Sequence, residues 1–222
     1  MSQSISVGAK ILWVLSLGAL LAWYGWTRLG GRSASFIVEP VSNEVARVIH
    51  ENNDSMFAVS TGHRPVVVYS HYFCPFCREL WDSVESLVYD GTDLISVAVY
   101  VRHLVEPDDP TYYAALAAEC AAEQGEFRSY NREIYAQVDT GQRQFTPELL
   151  QELADGIVTD LTKFSTCLNE EVYNSHLVTA GEEARLLAVR GTPVTVVGKQ
   201  AITGTPARSA LRSMFEQGKE EP

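Results

Sequence analysis

The hydrophobic positions of this chain form short continuous runs in some places and a helical repeat in others. Residues 65–70 and 94–101 are runs of strand-forming side chains, typical of strands that are buried on both faces. Between the two runs, residues 78–88 repeat apolar side chains at helical spacing, which predicts an amphipathic helix. A helical stretch is also expected at 43–52. The pattern therefore predicts a strand–helix–strand unit, the building block of an α/β fold.

Residues 109–189 follow a helical pattern almost throughout, and they separate the strand–helix–strand unit from further strand-like sequence. After this helical insertion, strand formers on either side of Gly198-Lys199 predict a hairpin at 194–203, and a last helix is expected at 206–217. Strands therefore flank the insertion on both sides. Within it, helices are predicted at 111–123, at 127–137, from Thr146-Pro147 onward, at 161–168 and at 171–189.

An apolar run of 16 residues, from Ile11 to Trp26, contains no charged residue and follows Lys10. Such a run is typical of a membrane-targeting segment. Aromatic residues stand where a cleavage site would need small ones, which favours an uncleaved anchor helix over a cleaved signal. An apolar helix docked on the domain is a further alternative. We therefore assign residues 1–32 to an N-terminal hydrophobic anchor or signal segment and residues 33–222 to one globular domain.

The formal net charge is −11, and residues 1–32 carry three of the 17 basic residues and no acidic residue. The remaining residues therefore hold 14 basic and 28 acidic side chains. Binding to phosphate backbones needs a cationic surface, so this acidic balance argues against nucleic acid as a partner.

The motif Cys74-Pro75-Phe76-Cys77 stands at the predicted turn from the first strand into the helix. Two cysteines at this spacing can close and reopen a small disulfide without unfolding the domain. The helix N-terminus favours the thiolate form of Cys74, and Pro75 at the first helical position gives up only a donor that the helix does not need. Cys77, one turn inside the helix, would be shielded and would resolve a mixed disulfide.

Other uses of a paired cysteine motif fit this chain less well. Arg78 follows the motif where haem attachment requires histidine. A zinc site would need two more ligands, and Cys120 and Cys167 are isolated cysteines without neighbouring histidines. A purely structural disulfide in so tight a loop would gain little loop entropy. We therefore expect a redox-active pair, with no metal site and no cofactor.

A second motif, Gly191-Thr192-Pro193, opens the late hairpin. In combination with the buried strand and the cysteine motif at the head of a helix, it makes the chain resemble the thioredoxin superfamily, and the long helical insertion points to the DsbA-like branch. The resemblance spans roughly residues 55–218. It implies a thioredoxin-like fold in which the insertion separates the active-site unit from a cis-proline hairpin. It also implies a protein thiol–disulfide oxidoreductase that works through Cys74 and Cys77.

The same resemblance assigns further residues to the site. Pro193 is expected to be a cis-proline facing the active-site cysteines, and Thr192 to offer its backbone to an extended substrate strand. Pro75 and Phe76 are expected to contact substrate as well. Without the resemblance, an ordinary trans proline at the start of an edge strand would be the preferred interpretation.

Cys120 and Cys167 fall in two different helices of the insertion, 47 residues apart. In an oxidising compartment we expect them to form a structural disulfide. The alternative is an electron relay to the first pair. Neither cysteine has a second cysteine within one helical turn, which favours the structural interpretation.

The chain departs from the strongly oxidising members of the family at two positions. Phe76 stands where those members carry histidine, and a phenyl ring cannot donate a hydrogen bond to a thiolate, so a less oxidising disulfide is expected. Val68 stands six residues before Cys74, where related proteins often bury an acid that takes part in proton transfer. His71 or water could substitute, although a structural role for His71 is the preferred interpretation.

The expected partners are thiol-containing exported proteins and a membrane or soluble redox partner that recycles the cysteine pair, with the membrane bound through the N-terminal segment. The expected location is the periplasm or the extracytoplasmic face of the cell membrane. Disulfide formation is the preferred direction of electron flow. A reductase or isomerase-type protein of the same fold, or a non-catalytic binding module, remains an alternative.

Overall fold

The computed structural model describes residues 38–40, 65–89 and 97–217. All of these residues lie in one compact unit that spans Phe36–Pro222. The predicted N-terminal anchor and the helix expected at 43–52 lie outside the described residues. A search of the described helices finds none that combines the length and the apolar character needed to cross a bilayer.

Within the described residues, five strands form one mixed sheet. The strands are β1 (Val38–Pro40), β2 (Pro65–Ser70), β3 (Ala98–His103), β4 (Val194–Val197) and β5 (Gln200–Thr203). Their order across the sheet is β1-β5-β4-β2-β3. β2 pairs with β3 in parallel, and the other three pairs are antiparallel. The strand on each side of β2 thus comes from a different part of the chain, one before the insertion and one after it.

Seven helices lie in the described part of the chain, and five of them make up the insertion. Helix α1 connects β2 to β3, and α7 follows β5. The bounds are α1 (Pro75–Val88), α2 (Tyr112–Ala122), α3 (Phe127–Asp139), α4 (Pro147–Ala154), α5 (Leu161–Asn169), α6 (Asn174–Leu186) and α7 (Arg208–Gln217). The predicted α/β fold with a helical insertion before the hairpin is confirmed.

The central strand β2 buries both of its faces because successive side chains of a strand point to opposite sides of the sheet. Val66 and Val68 belong to the main core, which also contains residues of α1, of the insertion and of α7. Val67 and Tyr69 belong to a smaller core on the other face, where Ala184 of α6 packs. This two-sided burial explains the continuous apolar run that the sequence shows at β2.

Several element boundaries differ from the sequence prediction by a few residues; β3, for instance, begins at Ala98 rather than at residue 94. Two of the differences have a clear physical cause. β3 continues to His103, beyond the predicted end at residue 101, because Arg102 remains in the parallel register opposite Tyr69. The Arg102 guanidinium is buried and donates to Glu183 of α6 over 2.8 Å. The last helix of the insertion begins at Asn174 rather than at 171, since Glu171 adopts a positive φ of 48° that a helix does not allow.

The sequence analysis also missed β1. This strand has only three residues, which pair antiparallel with Gln200, Ala201 and Ile202 of β5. Three residues are too few to display a period of two, so the hydrophobic pattern carries no signal for such a strand.

Candidate active site

The cysteine motif lies at the junction between β2 and α1. Three residues follow the end of β2, and Cys74 then caps α1 with an extended backbone, with Pro75 as the first helical residue. Proline suits this position because the first amides of a helix have no partner within the helix. The Cys74 N–H donates to the carbonyl of His71 over 3.0 Å, which tightens the turn into the helix.

The two thiols of the motif differ in exposure. Both cysteines are free in this structure; Cys74 is partly exposed, and Cys77 is buried with 2% of its surface accessible. Burial raises the pKa of the Cys77 thiol to about 12, and hydrogen bonding to Thr192 offsets only part of this effect. Near neutral pH, Cys77 is therefore a protonated thiol, and Cys74 is the sulfur that another molecule can reach.

The hairpin brings a second segment to Cys74. The Thr192–Pro193 peptide bond is cis, and Pro193 immediately precedes β4. Because β4 pairs with β2, with Tyr69 opposite Val194, the segment before β4 lies next to the segment that follows β2. The Cys74 thiol donates to the carbonyl oxygen of Thr192 over 3.2 Å. The structure thus brings together Cys74, Cys77, Thr192 and Pro193.

The other two residues predicted to contact substrate form an apolar edge beside Cys74. Pro75 is exposed, and Phe76 exposes 59% of its surface. Large hydrophobic side chains with this much exposure are typical of binding surfaces when they lie beside a reactive group. The phenyl ring offers no hydrogen-bond donor to either thiol.

The sheet beneath α1 lacks the buried acid that related proteins often have. Val68 is buried in β2, between Val101 of β3 and Thr195 of β4. The Thr195 hydroxyl is buried and makes no hydrogen bond within the described part of the chain. A buried hydroxyl group therefore lies on the adjacent strand, directly beside Val68. This feature could not be recognised in the sequence, because Thr195 belongs to an ordinary run of strand formers.

His71, the other group considered for proton transfer, has both ring nitrogens engaged away from the thiols. Its Nδ1 accepts the backbone N–H of Phe73 over 3.1 Å, and its Nε2 lies 2.9 Å from a carboxylate oxygen of Asp109. These contacts favour the structural interpretation of this residue.

A groove with a volume of about 500 Å³ lies beside Cys74, between the cysteine motif and α3 of the insertion. Phe73 and Tyr135 contribute aromatic surface to it. Arg78 also lines the groove and pairs with Asp139 over 3.6 Å. Neither Tyr135 nor Asp139 was assigned to the site from the sequence, because Tyr135 appears there only as a member of the amphipathic helix predicted at 127–137 and Asp139 lies beyond the predicted end of that helix.

The second pair of cysteines lies within the insertion. A disulfide joins Cys120 of α2 to Cys167 of α5, and the two Cα atoms are 5.9 Å apart. Both residues are buried in the main core. The described residues contain no group of histidine, cysteine and acidic side chains that could hold a metal ion.

The family model described as thioredoxin matches residues 61–217 of this chain. The match includes the cysteine motif, the whole insertion and the cis-proline hairpin.

Solved structures with the same fold include oxidoreductases of the DsbA type. A thioredoxin-like oxidoreductase from Silicibacter pomeroyi aligns with a TM-score of 0.64 and 20% identity, covering 82% of this chain and 100% of that one. The thiol–disulfide exchange protein α-DsbA2 from Wolbachia pipientis aligns with a TM-score of 0.60 and 17% identity, covering 79% and 96%. At these identities the likeness establishes the fold.

Among curated proteins, the chain is similar to the Na(+)/H(+) antiporter NhaA 3 of Salinispora tropica. The two are 33% identical over 134 residues, which make up 60% of this chain and 20% of the antiporter. The matched part is thus about a fifth of that relative's length.

Proposed function

The chain belongs to the thioredoxin family and shares its fold with thiol–disulfide exchange proteins of the DsbA type, and we propose that it is a thiol–disulfide oxidoreductase that forms disulfides in exported proteins. The Cys74-Pro75-Phe76-Cys77 motif is the redox pair in this proposal. Cys74 reacts with the substrate. Cys77 is its disulfide partner before the exchange, and the Cys77 thiol can also displace a substrate that stays attached to Cys74.

The arrangement of the two thiols at the head of α1 supports this proposal above all. Cys74 is reachable and sits at a helix N-terminus, where the helix dipole favours a thiolate, whereas Cys77 is buried one turn further along. The carbonyl of Thr192 lies 3.2 Å from the Cys74 sulfur and marks the side from which a second backbone can approach.

The exchange begins with Cys74 and Cys77 joined by a disulfide. A substrate thiolate attacks the Cys74 sulfur, the bond between Cys74 and Cys77 breaks, and the Cys77 sulfur leaves with the electron pair and takes up a proton. The raised pKa of Cys77 favours this protonation. A second substrate thiolate then attacks the substrate sulfur of the mixed disulfide. The substrate leaves with a new disulfide, and the two electrons remain on the cysteine pair.

The edges around Cys74 offer contacts for a substrate segment. We place an extended substrate strand along the backbone of Thr192, next to Pro193, by short β-augmentation. Pro75 and Phe76 would cover the apolar part of that segment. Such a site depends on backbone contacts and apolar surface, so it suits many exported proteins rather than one sequence.

The proposed location is the extracytoplasmic face of the cell membrane, with the chain held by its N-terminal segment. The disulfide between Cys120 and Cys167 supports an oxidising compartment, since such bonds are rare where thiols are kept reduced. A redox partner, membrane-bound or soluble, would accept the two electrons and restore the Cys74–Cys77 disulfide.

One observation favours a second candidate, a disulfide reductase that uses the same site. Phe76 replaces the histidine of strongly oxidising relatives and supplies no hydrogen bond to a Cys74 thiolate, which leaves the reduced form less stabilised. A less oxidising pair is better suited to electron donation. The reductase would run the same exchange in reverse, with an external reductant replenishing the thiols.

The two directions are separated by the reduction potential of the pair and by its state in cells. For a disulfide-forming protein, alkylation of thiols in intact cells should find Cys74 mainly oxidised, and the purified oxidised protein should form a disulfide in a reduced, unfolded substrate. The Cys74→Ser variant is the control and should form none. Finding Cys74 mainly reduced in cells, with a potential close to that of cytosolic thioredoxin, would favour the reductase instead.

A further inference from the structure

A hydrogen bond between His71 and Asp109 connects the turn before Cys74 to the start of the helical insertion. His71 Nδ1 accepts the N–H of Phe73, and His71 Nε2 lies 2.9 Å from Asp109 Oδ2. The two side chains are about three-quarters buried, with 22% and 24% of their surfaces exposed. The contact joins residues that are 38 positions apart in the chain.

The hydrogen bonds define which ring nitrogen carries the proton. Nδ1 accepts a backbone N–H and is therefore unprotonated, so the ring proton is on Nε2 and is donated to Asp109. Protonation of Nδ1 would turn it from an acceptor into a donor, and its bond to Phe73 would be lost.

Asp109 is itself held rigidly at the start of the insertion. Its Oδ1 accepts both the backbone N–H and the hydroxyl of Thr111, each over 2.7 Å. The backbone carbonyl of Asp109 also accepts the N–H of Tyr112, the first residue of α2. Although burial raises the pKa of Asp109, the hydrogen bonds from His71 and Thr111 outweigh it and lower the pKa, so a carboxylate is present.

The other end of the contact leads directly to the reactive sulfur. The residue whose N–H the histidine ring accepts is Phe73, the neighbour of Cys74, and the carbonyl of His71 accepts the N–H of Cys74 itself. A single residue therefore fixes two successive backbone amides before α1. The ring imitates an Asx turn, in which an Asn or Asp side chain accepts the N–H two residues further on.

We propose that His71 and Asp109 are positioning residues that hold Cys74 at the head of α1 from the start of the helical insertion, an inference that rests on the proposed role of Cys74 as the nucleophile. Neither side chain touches the sulfur. The insertion acts on the thiol through the backbone, because the thiolate gains from the helix N-terminus only while Cys74 keeps its capping position.

Three substitutions separate the two contacts of the histidine. His71→Asn keeps an acceptor for the Phe73 N–H but is too short to reach Asp109, and His71→Leu removes both contacts. Asp109→Asn leaves one acceptor oxygen, which cannot accept from both the Nε2–H and Thr111. Asp160→Ala is the matched control, since it removes a hydrogen bond to Lys163 at the start of α5, far along the chain from the cysteine motif.

The measurement is the rate at which iodoacetamide alkylates Cys74 in the reduced full chain, between about pH 5 and pH 9. Loss of both contacts should lower the rate roughly 3- to 10-fold in His71→Leu. Loss of the contact to the insertion alone should have a smaller effect, roughly 2- to 3-fold, of the same size in His71→Asn and in Asp109→Asn. Asp160→Ala should lower the thermal midpoint without changing the rate.

The pH profile distinguishes positioning from general stability. A Cys74 thiolate that loses its place at the helix N-terminus is less stabilised, so the alkylation profile of His71→Leu should move to higher pH, whereas a variant that is merely less stable should keep the profile of the unmodified protein. Among the described residues, the titratable groups that interact with His71 are Asp109 on the segment before α2, Cys77 of α1 through the His71 backbone, and His103 at the end of β3. Burial lowers the pKa of His103 to about 3, so it stays neutral over this range.

Unchanged rates in His71→Leu and Asp109→Asn, in protein that still unfolds cooperatively, would overturn the inference. A His71→Asn variant as slow as His71→Leu would also overturn it, because the hydrogen bond to the Phe73 N–H would then make no contribution to the position of Cys74. If Cys74 of the unmodified protein is alkylated no faster than Cys77, the proposed function fails, and that result is independent of the three variants.

Discussion

The two cysteine pairs of this protein differ in their spacing along the chain, in their burial and in whether they are bonded. Cys74 and Cys77 are one helical turn apart at the edge of the fold, and both are free thiols here. Cys120 and Cys167 are 47 residues apart, buried in the insertion and bonded. The two pairs show that sequence separation and position on a helix determine whether a disulfide is reactive or stabilises the fold. A short loop at a helix N-terminus gains little stability from closure and remains reactive, whereas a long buried loop gains much and is shielded.

The largest expected effect that tests this contrast comes from the removal of Cys77. Cys77→Ala should stop turnover, because the Cys74–Cys77 disulfide that starts the exchange can no longer form. The Cys74 thiolate can still attack a substrate disulfide, and the resulting mixed disulfides should accumulate because Cys77 is not there to displace the substrate from Cys74. Non-reducing electrophoresis with and without a reductant should detect these adducts. Cys167→Ala is the informative comparison, since a reactive second pair would give adducts there too. If Cys77→Ala yields no adducts and Cys74→Ala does, the roles of the two thiols must be exchanged.

The second test removes the buried pair. Replacing Cys120 and Cys167 together by alanine should lower the free energy of unfolding by about 4 kcal/mol, since the disulfide closes a long loop in the unfolded chain. Chemical denaturation with a common baseline would measure the loss. The alkylation rate of Cys74 should stay within about twofold, because the stabilisation is largely an effect on the unfolded state.

An electron relay would behave differently in that experiment. If the Cys120–Cys167 disulfide exchanged electrons with the first pair, the double variant would change the potential of Cys74–Cys77, and mass mapping would find crossed bridges such as Cys74–Cys120. Either observation would contradict the structural interpretation of the buried pair.

The third test makes the reactive pair resemble that of strongly oxidising relatives. Phe76→His introduces a hydrogen-bond donor between the cysteines that can stabilise the Cys74 thiolate. The reduced form should therefore become more stable, and the pair should become more oxidising. A shift of about 30 mV, a tenfold change in the equilibrium with glutathione, is a reasonable size. Phe76→Leu is the control for the lost phenyl ring. An unchanged potential in Phe76→His would mean that this position does not set the direction of exchange.

The sequence and the structure agree where the information is local. The change from strand to helix at the cysteine motif is visible as a change of period, and the hairpin at Gly198-Lys199 is visible as a turn signal between strand formers. The cysteine motif therefore appears at the head of a helix in both. The resemblance to the thioredoxin superfamily supplied the expectation for Pro193, because sequence propensities alone disfavour a cis bond.

The long-range contacts could not be predicted in this way. His71 pairs with Asp109, and Arg102 pairs with Glu183. In both pairs the two residues are far apart in the chain and come into contact only when the whole domain has folded. A single sequence contains the residue types, but it does not show which of its five histidines and 28 acidic residues meet. For the same reason Tyr135 could be assigned to an amphipathic helix but not to the groove beside Cys74.

The smallest expected effect concerns the titration of the buried thiol. Burial raises the pKa of Cys77 to about 12 in the folded protein, above the value of about 8.5 for a free cysteine. Its contribution to stability is therefore fully present below about pH 8.5 and is lost as the pH rises towards 12, because only the unfolded chain can ionise the thiol easily. The limiting slope is about 1.4 kcal/mol per pH unit.

A pair of variants isolates this contribution. The free energy of unfolding of Cys74→Ser should fall more steeply between about pH 8.5 and pH 9.5 than that of the double variant Cys74→Ser/Cys77→Ala, with a difference approaching 1 kcal/mol. Lysine and tyrosine side chains titrate in both variants and cancel in the difference. The bonded cysteines Cys120 and Cys167 do not titrate, so they contribute nothing to it. Parallel pH profiles for the two variants would mean that Cys77 ionises as readily in the folded protein as in the unfolded chain, and the contrast between a shielded and an exposed thiol in the reactive pair would be lost.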